Sequence, residues 1–119
     1  MPLRYLIAIL TLVAAVALPA SAGAATAEDC QAQIATLRSE TAAVTTFANA
    51  KDQNALLGKL DNASTALTAG KNADAARKLT DFRAKVQALG TAGKLGADDA
   101  ANLDARAAAA ISCIESIGA

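Results

Sequence analysis

The chain has 119 residues, with 11 basic and 11 acidic side chains and no histidine or tryptophan. This charge balance provides no overall attraction to nucleic acid or to an anionic membrane, and the lack of histidine removes the most frequent general base and a common metal ligand. The length suits one small domain, and the abundance of alanine favours helix over strand.

The first 22 residues have the pattern of a secretory signal peptide. Arg4 precedes an apolar run of about fourteen residues, which is shorter than the ~20 residues of a membrane span, and a small-residue cleavage site ends at Ala22. Cleavage after Ala24 or Ala25 is a nearby alternative, and an uncleaved anchor is the competing interpretation. We expect residues 23–119 to be exported from a bacterial cell, to the periplasm or the medium, without stable membrane insertion.

The first helix of the exported domain is predicted over about residues 28–50. Apolar or small residues recur from Cys30 to Ala48 at alternating spacings of four and three, which is typical of one buried helical face. An acidic first turn suits the positive end of the helix dipole. We place the break at residues 49–52, although neither glycine nor proline marks it.

Two further helices, over about residues 53–69 and 73–89, are predicted to form a hairpin. Gly70 joins them, because glycine readily adopts the left-handed conformation that ends a helix. Asn72 is expected to cap the second helix of the pair, and Gly90 is expected to end it. A connector this short makes the two helices antiparallel, with one shared apolar seam.

The last helix is predicted over about residues 97–117, after a loop that contains two glycines. Four helices with short connectors predict an all-α fold, namely an up-down-up-down four-helix bundle that forms one small domain. The residues expected in its core are Leu56, Leu60, Leu67, Leu79, Phe82, Val86, Leu103 and Ile114.

Residues 56–111 resemble the FIMAH-type helical domain of bacterial secreted proteins. The resemblance rests on the segment KLDNA at residues 59–63, the AGK turn at residues 69–71, an alanine and a leucine before Phe82, and the GKL turn that opens the last helix. It implies a helical fold and an accessory role within extracellular proteins. It supplies no catalytic motif.

The two cysteines are predicted to form a disulfide, since exported chains with two cysteines usually pair them. Cys30 opens the first helix and Cys113 lies near the end of the last, and in an up-down-up-down bundle these ends meet at one pole. The alternative, a redox-active pair, lacks the close spacing of a reactive dithiol.

No catalytic, cofactor-binding or metal-binding residues are predicted, and no cofactor is expected. A general base of suitable pKa is missing, and no glycine-rich phosphate loop follows a strand. Asp98 and Asp99 offer weak calcium ligands, but helix capping is the favoured interpretation.

Basic residues are concentrated between residues 71 and 94. At about 100° per residue, Asp74, Lys78, Asp81 and Lys85 share one side of their helix as a ladder of ion pairs. Arg83 lies on the opposite flank without a predicted partner. A solvated face is therefore favoured over an anion-binding site.

The sequence thus predicts a non-enzymatic exported domain that acts by surface contact with an unknown protein or envelope component. Nucleic acid is not an expected partner. The alternative is a small periplasmic ligand carrier or inhibitor whose bundle opens to bind a ligand.

Overall fold

The computed structural model describes residues 25–117, which form four α-helices. These are α1 (Ala27–Ala43), α2 (Ala50–Thr68), α3 (Asn72–Thr91) and α4 (Ala97–Glu115). Each helix packs against the next and α4 packs against α1, whereas the backbones of the diagonal pairs among these four do not approach each other closely. The predicted up-down-up-down bundle is confirmed. The expected signal peptide, residues 1–22, lies outside the described residues.

The core is a narrow column of leucine and alanine. All eight core candidates are buried, from Phe82 at 0 % exposed to Leu67 and Ile114 at 3 %. Alanines complete the column at positions 63, 75, 100, 107 and 110. Because alanine side chains are short, they allow the helix backbones to pack closely.

The first helix ends at Ala43, seven residues before the predicted end at residue 50. Val44 is already extended, with φ −66° and ψ 133°, and two threonines follow it, so that three β-branched residues disfavour further helix. The Gln53 side chain donates hydrogen bonds to the carbonyls of Thr41, Ala42 and Val44. The predicted break at residues 49–52 was therefore wrong, and the connector is residues 44–49.

This connector meets the loop between α3 and α4. Thr46 Oγ1 accepts a hydrogen bond from the Gly96 N–H at 2.9 Å and donates one to Asp99 at 2.7 Å. The Ala48 N–H also donates to the carbonyl of Lys94 at 2.8 Å. The N-terminus of α4, which lacks a side-chain cap of its own, is thus held by a hydroxyl from a distant segment.

Two helices end in the same way, at the repeated sequence Thr-Ala-Gly-Lys. Gly70 after α2 and Gly93 after α3 have φ values of 79° and 75°. In each turn the lysine N–H donates to the carbonyl five residues earlier, at 2.8 and 2.9 Å, which is the Schellman arrangement. The stop at Gly70 is confirmed. The stop predicted at Gly90 was wrong, because Gly90 lies inside α3 and its role is to allow α4 to approach.

Side chains cap the N-termini of α1 and α2, whereas the cap predicted for α3 was wrong. Asn49 caps α2 by accepting a hydrogen bond from the Asp52 N–H at 2.9 Å. Asn72 is the first residue of α3 and not its cap, since Lys71 occupies that position without a side-chain hydrogen bond. In α1 the hydroxyl of Thr26 and the carboxylate of Asp29 form a reciprocal capping box.

Candidate functional site

A disulfide joins the first and last helices of the bundle. Cys30 lies in the first turn of α1 and Cys113 in the last turn of α4, with their Cα atoms 5.6 Å apart. The antiparallel order of the helices brings these two ends to the same pole. The predicted pairing of Cys30 with Cys113 is confirmed, and its sequence separation of 83 shows that the bond ties together the two ends of the domain.

The disulfide is enclosed by the core. Cys30 is 0 % exposed and Cys113 is 8 % exposed, so a reductant in solution reaches at most the Cys113 sulfur. The surrounding buried residues are apolar. Thiol–disulfide exchange requires an external thiolate to reach one of the two sulfurs, and this enclosure hinders that approach. The arrangement suits a structural crosslink.

Every helix–helix interface in the described chain carries one ion pair. The pairs join Arg38 to Asp61, Asp52 to Lys85, Arg83 to Asp104, and Glu40 to Arg106. They connect α1 with α2, α2 with α3, α3 with α4, and α4 with α1, in that order. These side chains therefore help to specify which helices are neighbours.

Arg83 has a partner, contrary to the prediction that it lies alone. Its Nε donates to Asp104 Oδ1 at 2.8 Å, and the Gln87 side chain donates to the same oxygen at 3.1 Å. The prediction failed because α4 was not placed beside this flank of α3. Arg83 thus belongs to the helix–helix contact and not to a free binding surface.

Two carboxylates have altered acidity because of these pairs. The hydrogen bond from Arg83 lowers the pKa of Asp104; partial burial opposes this effect and the Gln87 hydrogen bond adds to it. The hydrogen bond from Arg38 likewise lowers the pKa of Asp61. Both carboxylates stay ionised at neutral pH, which suits ion pairing and not proton transfer.

The ladder predicted on α3 was wrong, because none of its four residues pairs with another of the four. Asp74 pairs with Arg77 at 2.9 Å and not with Lys78. Lys85 reaches across to Asp52 of α2, at 3.6 Å, instead of pairing with Asp81. Lysine side chains on this part of the bundle are consequently left without a carboxylate partner among the described residues.

The concave features of the described surface are open grooves. One of about 400 Å³ lies between α1 and α4, beside Thr36 and Arg106. Another of about 440 Å³ lies between the start of α3 and the end of α4, beside Ala76, Ile114 and Ile117. Neither groove groups the carboxylates and nucleophiles that would form a catalytic centre.

Sequence reasoning missed several polar and apolar contacts. Gln31 bonds to the Ser64 carbonyl and to the Ser64 and Thr68 hydroxyls across the α1–α2 interface. Leu95, within the loop before α4, is only 2 % exposed and closes one pole of the core. The position of Leu95 between two glycines of the loop was the sequence feature that could have indicated its burial. Nothing in the local sequence pointed to the contacts of Gln31.

Within residues 25–117, no group of three or more cysteine, aspartate or glutamate side chains is placed to hold a metal ion. None of the helices in this range is long and apolar enough to cross a membrane. No protein-family model, curated protein or solved structure matches the chain. The resemblance to the FIMAH-type domain therefore stays a prediction.

Proposed function

We propose that this chain is a small exported domain without enzymatic activity that acts by surface contact with a protein or a cell-envelope component. The disulfide between Cys30 and Cys113 carries the proposal, because structural disulfides persist in oxidising compartments such as the bacterial periplasm and the extracellular medium. The signal-peptide pattern of residues 1–22 supports export independently.

The distribution of polar side chains supports a contact role. Among the described residues, each of the four arginines pairs with a carboxylate, whereas Lys85 is the one lysine of six that does so. The arginines thus serve mainly to hold the helices together, and the remaining lysines are available to a partner. The FIMAH-type resemblance, which implies an accessory module, supports the same role.

Export is tested by the intact mass of the protein recovered from the cell exterior or periplasm. The expected chain begins at Gly23 or within three residues of it, and carries no alkylatable thiol before reduction. Peptide mapping without reductant should recover one crosslinked species containing Cys30 and Cys113. A full-length chain embedded in the membrane, or two free thiols in the exported protein, would contradict the proposal.

The contact role is tested by photo-crosslinking at an exposed lysine position such as Lys78 in living cells. We expect a discrete crosslinked protein or envelope component, identified by mass spectrometry. A probe at Arg83, which contacts Asp104, is the matched control and should give fewer crosslinks because its side chain faces α4. Equal background labelling at both positions would contradict a specific contact surface.

A ligand carrier or inhibitor is the second candidate, and the groove beside Ile114 and Ile117 favours it. Its volume of about 440 Å³ lies within the ~300–1,000 Å³ of small-molecule sites. Native mass spectrometry of the exported protein should then show a bound small molecule. Ala73→Trp, which fills the groove from its exposed rim, should remove that molecule, whereas Ala101→Trp, on an exposed position beside a different groove, should not.

A further inference from the structure

Charge is divided between two sides of the bundle. Residues 50–91, which contain α2 and α3, carry seven basic and four acidic side chains, a net charge of +3. Residues 25–49 and 92–117, which contain α1 and α4, carry three basic and seven acidic side chains, a net charge of −4. Since the four helices form a closed ring in which each backbone lies beside two neighbours, these are opposite sides, here named the basic side and the acidic side.

The ion pairs leave this division unchanged. Two of them cross between the sides: Arg38 with Asp61, and Arg83 with Asp104. Arg38 and Asp104 belong to the acidic side, and Asp61 and Arg83 belong to the basic side. Together the two pairs therefore neutralise one positive and one negative charge on each side, and the net charges stay the same. The unpaired charges in the described chain are Lys51, Lys59, Lys71, Lys78 and Asp81 on the basic side, and Glu28, Asp29, Lys94, Asp98, Asp99 and Glu115 on the acidic side.

The two sets of charges correspond at the two poles of the bundle. Lys51, at the start of α2, lies at the same pole as Asp98 at the start of α4, because both helices begin there. Lys71, at the start of α3, lies at the disulfide pole together with Glu28 and Glu115. A second copy displaced sideways without rotation therefore places lysines opposite carboxylates at both poles.

We propose that the basic side of one molecule docks against the acidic side of a second copy, with their poles aligned. The net charge of −1 over residues 25–117 leaves little overall repulsion between copies. A polyanion, by contrast, is attracted by one side and repelled by the other. Because the contact joins two different surfaces, it is heterologous and continues from copy to copy as an open row. This inference goes beyond the proposed function and does not depend on it.

The first test is sedimentation velocity of the exported protein at several concentrations. At ~10 mM ionic strength, where the Debye length is about 30 Å, the weight-average mass should rise with concentration to about twice the monomer mass or more. At ~1 M salt, where the Debye length is about 3 Å, it should return to the monomer mass. A monomer at every concentration in low salt would overturn the proposal.

The second test uses two charge-reversal variants. Lys51→Glu with Lys71→Glu changes the basic side from +3 to −1, and both substitutions lie at helix starts, where negative charge is favoured. Glu28→Lys with Glu115→Lys changes the acidic side from −4 to 0. Each variant alone should remain monomeric in low salt. Their mixture should form 1:1 dimers but no rows of three or more copies, because only one complementary pair of sides remains.

Lys94→Glu is the matched control, since it changes charge on the acidic side and should preserve or strengthen association. Circular dichroism shows whether each variant is folded. If a variant does not fold, the salt dependence of association in the unsubstituted protein decides whether the copies dock. Association that persists in the basic-side variant would overturn the proposal. So would binding of inorganic polyphosphate by the unsubstituted protein without self-association, which would indicate a polyanionic partner.

Discussion

Gly90 of α3 faces Ala100 of α4 so closely that a Cβ at Gly90 would lie 2.8 Å from the Ala100 Cβ. Such a contact is shorter than van der Waals packing permits, and the Ala100 Cβ moves only with the backbone of α4. Glycine at this position thus sets the spacing of the two helices.

Gly90→Ala should consequently destabilise the domain although alanine favours helix. The gain in helix propensity is about 1 kcal/mol, whereas overpacking at a tight contact costs about 1–3 kcal/mol. Gly58→Ala is the matched control, because Gly58 lies in α2 with nothing near its added Cβ, and it should stabilise by about 0.5–1 kcal/mol. Urea denaturation of both variants measures the difference, and a gain in both would contradict the tight α3–α4 contact.

Phe82→Ala should remove about 3–5 kcal/mol from the free energy of unfolding, as is usual for a fully buried phenylalanine. The alanines of the core are too short to fill the cavity. Arg83→Ala, one residue later, should cost at most about 1 kcal/mol, because its ion pair with Asp104 is partly solvated. Chemical denaturation compares the two. Equal, small losses would mean that the assignment of helical faces is wrong.

Replacing both cysteines, Cys30→Ser with Cys113→Ser, should lower the melting temperature clearly. The bond closes a loop of 84 residues, for which the loop-entropy treatment gives an upper figure of about 4.5 kcal/mol. Calorimetry of the oxidised protein, the reduced protein and the double variant provides the comparison. The reduced protein and the variant should melt at similar temperatures, below the oxidised form, and coincident melting of all three would contradict a stabilising bond.

Thr46→Val should weaken the start of α4 by about 0.5–1.5 kcal/mol, since valine keeps the shape of threonine but lacks the hydroxyl that joins Gly96 to Asp99. Amide hydrogen exchange in the first turn of α4 should become faster. Thr46→Ser retains the hydroxyl and serves as the control. Unchanged exchange in the valine variant would show that the bridge contributes nothing.

The Arg83–Asp104 pair should stabilise the domain at neutral pH and lose its effect in acid. The pKa of Asp104 is lowered in the folded protein. The stabilising contribution of the ion pair is therefore complete above the pKa of the carboxyl in the unfolded chain, about 3.9. It disappears as the pH falls through the lower folded value. Asp104→Asn should therefore be less stable than the unsubstituted protein at neutral pH, and the difference should shrink as the pH falls below the unfolded value. Denaturation at neutral pH and at several acidic pH values checks this, and a constant difference would contradict the shift.

Local patterns were sufficient for much of the fold. The four-three spacing located the buried faces of α2, α3 and α4, because helix burial repeats every 3.6 residues regardless of the partner. Helix order then placed Cys30 and Cys113 at one pole. The end of α1 could not be located in this way, since the run of Val44 and two threonines is only a weak signal and the Gln53 hydrogen bonds come from the next helix.

The sequence by itself determined the buried faces of the helices, the order of the helices and the pairing of the cysteines, since these depend on periodicity and connector length. Only the tertiary structure decided the partner of Arg83, 21 residues away at Asp104, the bridge from Thr46 to Asp99, 53 residues apart, and the packing role of Gly90. Each of these depends on the rotation and spacing of two helices, which are set by side chains from both. The separation of charge onto two sides has the same origin, because it exists only when α2 lies beside α3 and α1 beside α4.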